Sequence, residues 1–152
     1  HLEQETMTSL GNNNAQDDDN SNPLFELMII EHLLAELCDS FSRRHELIRP
    51  VVESLLLKLT QGSEKDAMDG LHHLVSIKDG IAKEIQKQTD HVDCLNTLLH
   101  DEEDMVGLLL SERHRSGGGV LDLGRHDMIE LMLENYHRRL ILTRQQLRHL
   151  IQ

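Results

Sequence analysis

Residues 71–109, LHHLVSIKDGIAKEIQKQTDHVDCLNTLLHDEEDMVGLL, decide the fold. Their apolar side chains Leu71, Leu74, Ile81, Ile85, Val92, Leu95, Leu99, Val106 and Leu109 recur by alternating steps of three and four. Only Lys78, Gln88 and Glu102 interrupt the row. That spacing keeps one narrow stripe on one side of a helix, a coiled-coil-like seam sustained over more than five heptads. A single helix over residues 63–110 would be roughly 70 Å long. A compact globule of 152 residues is only about 40 Å across. The sequence therefore predicts an elongated molecule in which long helices lie along one another.

Towards the N-terminus, Gln61-Gly62-Ser63 supplies a stop followed by a start: Gly62 suits a left-handed terminus and Ser63 a cap. Before it, Leu27, Ile30, Leu34, Leu37, Phe41, Ile48, Val51 and Leu55 form a second helical row. Pro50 predicts either a kink there or a new helix with proline in its first turn. Towards the C-terminus, Ser116-Gly117-Gly118-Gly119 reads as a linker without the Lys-Ser or Lys-Thr pair of a phosphate loop. Asp127-Met128-Ile129-Glu130 has the form of a capped helix start. Ile129, Leu133, Tyr136, Leu140, Leu147 and Leu150 resume the heptad pattern after it, and no terminator follows. The fold class expected is all-α: an elongated antiparallel bundle of long coiled-coil-like helices ending in a stalk helix cut short. Its parts are a helix tail and acidic linker (residues 1–23), a long helical hairpin (24–112), a Gly-rich loop (113–126) and the start of the stalk (127–152).

Lys plus Arg total 15 against 27 Asp plus Glu, a formal net charge of −12. Such a surface repels phosphates, which excludes nucleic acid and favours cations as partners. Aromatics are 2% with no Trp, so no groove for stacked bases is expected. Cys38 and Cys94 sit among apolar neighbours and read as buried thiols in a reducing compartment. No signal peptide is visible and no apolar stretch approaches the ~20 residues of a membrane span.

Eleven histidines are scattered with no pair at the i, i+4 spacing of a zinc clamp, so most read as surface residues. Glu134-x-x-His137 is half of a di-iron signature, for which Asp69-x-x-His72 is the one available second half. Asp17-Asp18-Asp19 reads as a solvated charge run. Tyr136 reads as a core or stacking residue, and no nucleophile elbow is present, so no enzyme is expected. Asp101, Glu102, Glu103 and Asp104 are the candidate metal residues. Four carboxylates in about one turn repel one another and call for compensation by solvent, a basic neighbour or a divalent cation, the alternative being a plain solvated face. Mg²⁺ keeps much of its water, so one or two carboxylates per subunit can suffice.

These segments have a family likeness. Leu24-Phe25-Glu26-Leu27-Met28-Ile29-Ile30-Glu31 resembles the Pro-Phe-Glu-Phe-Arg-Ala-Leu-Glu motif that opens the helical part of eukaryotic, mitochondrial-type CorA magnesium transporters. Pro50 before Val51-Val52-Glu53-Ser54-Leu55 sits where that family often carries proline. Leu98-Leu99-His100-Asp101-Glu102-Glu103-Asp104-Met105 is similar to its acidic stretch, and Glu130-Leu131-Met132-Leu133-Glu134-Asn135-Tyr136 to the start of its stalk helix. The opening motif departs from the pattern in Pro23, one residue early, and in Met28 for arginine.

The resemblance implies a subunit of a homopentameric Mg²⁺ channel, transporting Mg²⁺ across the mitochondrial inner membrane. Its helices would form a soluble funnel ahead of two membrane spans and a Gly-Met-Asn tripeptide, none of which lies in these residues. It implies a regulatory segment in which Asp101, Glu102, Glu103 and Asp104 gather and sense cations. On the residues alone, a coiled-coil scaffold or tether with no transport role stays open, as does a ferritin-like di-iron bundle.

Overall fold

The computed structural model describes residues 25–61, 64–117 and 123–152; the expected tail and acidic linker lie outside them. Among the described residues every element is helical: α1 (Phe25–Gln61), α2 (Glu64–His100), α3 (Glu102–Gly107), α4 (Leu110–Ser116) and α5 (Leu123–His149). The fold is all-α, as the periodicity predicts. With 37 residues each, α1 and α2 are roughly 55 Å long.

The core shows how the helices run. Leu27, Cys38 and Phe41 from the first half of α1 share a cluster with Val92 and Leu95 from the last third of α2. Ile129, Leu133, Tyr136 and Leu140 of α5 complete it, with Met105 of α3 and Leu109. A second cluster joins Val52 of α1, Ile81 of α2 and Leu147 of α5. Numbers rise together along α1 and α5 and fall along α2. Hence α1 and α5 are parallel, with α2 antiparallel to both.

Between the two clusters lies a polar band. The buried polar side chains among the described residues are His45 on α1, Glu84 and Gln88 on α2, and Thr143 on α5, and their numbers fall between those of the two clusters on every helix. Arg44 Nη1 donates to Glu84 Oε1 at 2.8 Å across the α1–α2 seam. Gln88 is 0% exposed and neither side-chain atom has a hydrogen-bond partner.

The three interruptions of the seam meet three different ends. Lys78 turns to solvent, and Gln88 stays in the core. Glu102 would have carried a carboxylate into apolar surroundings, a costly burial. Instead α2 stops at His100, and the single helix expected over 63–110 is three. Beyond the break Met105 is buried where Val106 was expected and Val106 is half-buried, while Leu109 is buried as the seam predicts.

Three more local features depart from the expectation or decide between its alternatives. Pro50 lies inside an uninterrupted α1. The Glu46 carbonyl it deprives of a donor belongs to an exposed residue, where water can replace the lost bond. Helix α5 begins at Leu123, four residues before the expected cap, so Asp127 sits within the helix. Cys38 is buried and its thiol donates to the Tyr136 carbonyl at 3.9 Å, whereas Cys94 is exposed, on the outer face of α2. Burial pushes the Cys38 thiol above its ordinary value.

Candidate cation site

The acidic quartet sits where α2 ends, and its geometry follows from capping. Asp101 has extended backbone angles, φ −111° and ψ 98°. Its Oδ1 accepts from the Glu103 amide at 3.1 Å and the Asp104 amide at 3.0 Å. These amides have no partner within α3, and the carboxylate supplies one. Glu102, Glu103 and Asp104 fill the first turn, where the helix dipole favours negative charge. All four residues are exposed. Met105 and Leu109 anchor the segment in the core beneath and hold the quartet outward.

A second clasp braces the same end. Glu26, near the start of α1, accepts from the Ser111 amide through Oε1 and from the Ser111 hydroxyl through Oε2, both at 2.8 Å. Burial by itself raises the Glu26 carboxyl, but these bonds outweigh it and hold the group below its usual range. A residue 85 positions away thus caps the first turn of α4.

One member of the quartet, Glu102, faces the first turns of α5. Glu102, whose side chain is 85% exposed, places Oε1 4.0 Å from His126 Nε2. On the other side of the ring, Asp127 Oδ1 lies 3.6 Å from Nδ1. Glu130 is one turn beyond His126 on the same helix face. One ligand atom from each of His126, Asp127 and Glu130 falls within 4.8 Å of the others. Among the described residues this is the group of metal-ligand side chains that converges; Asp101, Glu102, Glu103 and Asp104 do not form one. The sequence reading missed it because it sought paired histidines. His126 and Glu130 at i, i+4 were the available signal, whereas the approach of Glu102 is tertiary.

Beside this group lies a cleft of ≈ 370 Å³ lined by Asn96, Leu99, His100, Glu130, Glu134, His137 and Arg138. His100 Nδ1 donates to the Asn96 carbonyl at 2.7 Å, which leaves Nε2 as the acceptor in the neutral ring. Glu134 Oε2 accepts from Arg138 at 2.6 Å. Asp69 and His72, the other half of the di-iron signature, sit near the opposite end of α2, roughly 40 Å from Asn96 along the axis. The two halves are not brought together. Tyr136 is a core residue with the Arg139 guanidinium 5.3 Å from its ring centroid.

A sequence pattern of the family described as "Magnesium transporter MRS2-like" matches residues 1–152, the whole chain. The chain belongs to the MRS2-like magnesium transporter family. It is similar to the "Mitochondrial inner membrane magnesium transporter mrs2" of Schizosaccharomyces pombe, 26% identical over 112 residues. That alignment covers 74% of this chain and 26% of the relative. It is also similar to the "Mitochondrial inner membrane magnesium transporter LPE10" of Yarrowia lipolytica, 24% identical over 114 residues, 75% of this chain and 24% of the relative. The chain thus spans about a quarter of the length of these MRS2-like relatives. No solved structure matches. Among the described residues, no helix is long and apolar enough to cross a membrane.

Proposed function

We propose that the chain is a helical regulatory segment of a mitochondrial inner membrane Mg²⁺ channel, which gathers Mg²⁺ ahead of the pore and senses it. Mg²⁺ is the transported ion, and no catalysis is involved. The observation that carries the reading is the outward-facing quartet Asp101, Glu102, Glu103 and Asp104, braced by a cap and an apolar anchor in a chain of this family. Exposed carboxylates on a rigid mount concentrate divalent cations without fully dehydrating them, which suits an ion that dehydrates reluctantly. A net charge of −12 extends the same attraction over the surface, within a Debye length of about 8 Å.

Sensing then needs a second surface. Phe25, Met28, Ile29 and Leu33 on α1 and Met128, Leu131 and Leu142 on α5 are exposed large apolar side chains, more than a lone subunit needs to show. They support assembly as a homopentamer, the state the resemblance implies. In that assembly a quartet would meet a neighbour's carboxylates, and Mg²⁺ between them would relieve the repulsion and favour the closed arrangement.

The test is limited proteolysis with and without Mg²⁺. The combined variant D101N/E102Q/E103Q/D104N removes four charges, while asparagine still caps α3. Mg²⁺ should protect the parent chain and should not protect the variant. Equal protection of both would remove these four residues from the reading.

A further inference from the structure

We propose that His126, Asp127 and Glu130 form a binding site for a divalent transition-metal ion of the Zn²⁺ type, with Glu102 as the outer carboxylate that orients the histidine. The inference does not rest on the magnesium reading. Three ligand side chains lie within 4.8 Å of one another on the first turns of one helix. Donors around Zn²⁺, at bond lengths of about 2.0–2.2 Å, stand roughly 3–3.5 Å apart. Rotation of the two carboxylates would have to close the difference.

The second ring nitrogen bears on how the imidazole would be held. His126 Nε2 is a buried atom with no hydrogen-bond partner. Buried ring nitrogens are ordinarily paired. The carboxylates explain how this one becomes so. Asp127 flanks Nδ1 at 3.6 Å, and Glu102 flanks Nε2 at 4.0 Å. With a metal on Nδ1 beside Asp127 and Glu130, the ring would carry its proton on Nε2, and Glu102, drawn in from 4.0 Å, would accept it. Metal-bound histidines are held in this way, the second nitrogen pinned by a carboxylate.

The donor set chooses the ion. Mg²⁺ takes oxygen ligands in near-ideal octahedral geometry, and an imidazole nitrogen is a poor substitute. One imidazole and two carboxylates, with water completing the shell, suit Zn²⁺ and its neighbours in the first transition row. Glu102 belongs to the acidic quartet, so an ion at His126 would draw the first turn of α3 against α5 and fix the spacing of the two elements.

The test uses the full chain, titrated with Zn²⁺ in the presence of excess Mg²⁺, with Co²⁺ as a visible-absorption probe of coordination. One saturable Zn²⁺ per chain is expected, undisplaced by Mg²⁺, and Co²⁺ should give ligand-field bands. H126N should abolish saturable binding, E102Q should weaken it by about 10–100-fold, and H137N should leave it unchanged. X-ray absorption on Zn²⁺ bound to the unmutated chain should show a single imidazole among oxygen ligands, which keeps the question decidable if a variant fails to fold. Absent saturable binding, displacement by Mg²⁺, or insensitivity to H126N would each overturn the site. Loss of binding in H137N alone would overturn it too, by moving the ion to the cleft of His100 and Glu134.

Discussion

The two apolar clusters are built from the same three helices, yet they are unequal. Above the polar band, Leu133 and Leu140 pack with side chains of α1 and α2, and Met105 and Leu109 close the top. Below it, three buried side chains, Val52, Ile81 and Leu147, hold the bundle with half-buried neighbours. An open cleft of ≈ 520 Å³ lies towards the lower ends of α1 and α2, beside Leu55, Lys58, Gly70 and His73. Large apolar side chains are exposed at both ends, Leu56, Leu57, Leu71 and Val75 below and Phe25, Leu33 and Leu131 above, so the ends differ in what they bury and not in what they show. The difference teaches where rigidity is spent: the cation-facing end is the well-packed one.

The strongest way to break this contrast is to cut one leucine from the upper cluster. Leu140→Ala should cost about 4 kcal/mol, because a fully enclosed side chain leaves a cavity that its neighbours cannot fill. Ile81→Ala should cost about 2–3 kcal/mol, since the looser lower end can relax around it. Denaturant unfolding of both variants reads the ranking, and equal losses would erase the distinction between the ends.

An intermediate effect should come from the band that separates them. Gln88→Leu keeps the volume and removes an amide with no partner, so stability should rise by about 1–2 kcal/mol as the clusters merge. A fall under the same denaturation would mean that the amide is paired through internal water.

The smallest effect is one of pH. His45 in the band is held below the ordinary imidazole value, first by burial and then by the Arg49 charge, against an opposing pull from Glu46. The folded protein therefore binds that proton less readily than the unfolded chain. Stability from this group is fully present above the unfolded pKa of about 6.5 and is lost as pH falls towards the folded value. Unfolding measured from pH 7.5 down to pH 5 should show this decline, and His45→Gln should flatten it.

Much of this was legible in the residues. The three-four rows place Leu27, Phe41, Ile81, Val92, Leu133 and Leu140 correctly, because a stripe of apolar side chains has one way to leave water. Past Phe41 the row on α1 is one residue out at Val51, which is exposed where Val52 is buried. The fates of Lys78, Gln88 and Glu102 were not legible, since a polar residue in a seam can turn out, stay in or break the helix. The neighbours that decide among these come from other helices. Asp101 was legible as acidic but not as a cap, because capping needs the break that Glu102 helps to cause. The early start of α5 hid Asp127 in a cap it does not make, and with it the group around His126. The sequence pattern did locate the acidic turn, Tyr136 and the family.

The clasp between Glu26 and Ser111 carries a consequence for assembly order. Its partners are 85 residues apart, so the bond closes α1, α2 and α3 into one ring. Contacts of such separation cost loop entropy that nearer contacts do not, and they tend to form last. The α1–α2 hairpin can zip from the end where Gln61 and Glu64 are close in sequence without this bond. The acidic turn, however, is mounted only once the far end of α1 has returned to meet α4. A chain whose hairpin is still open at that end presents its carboxylates on a loose tether, and only the finished molecule presents them as a fixed array.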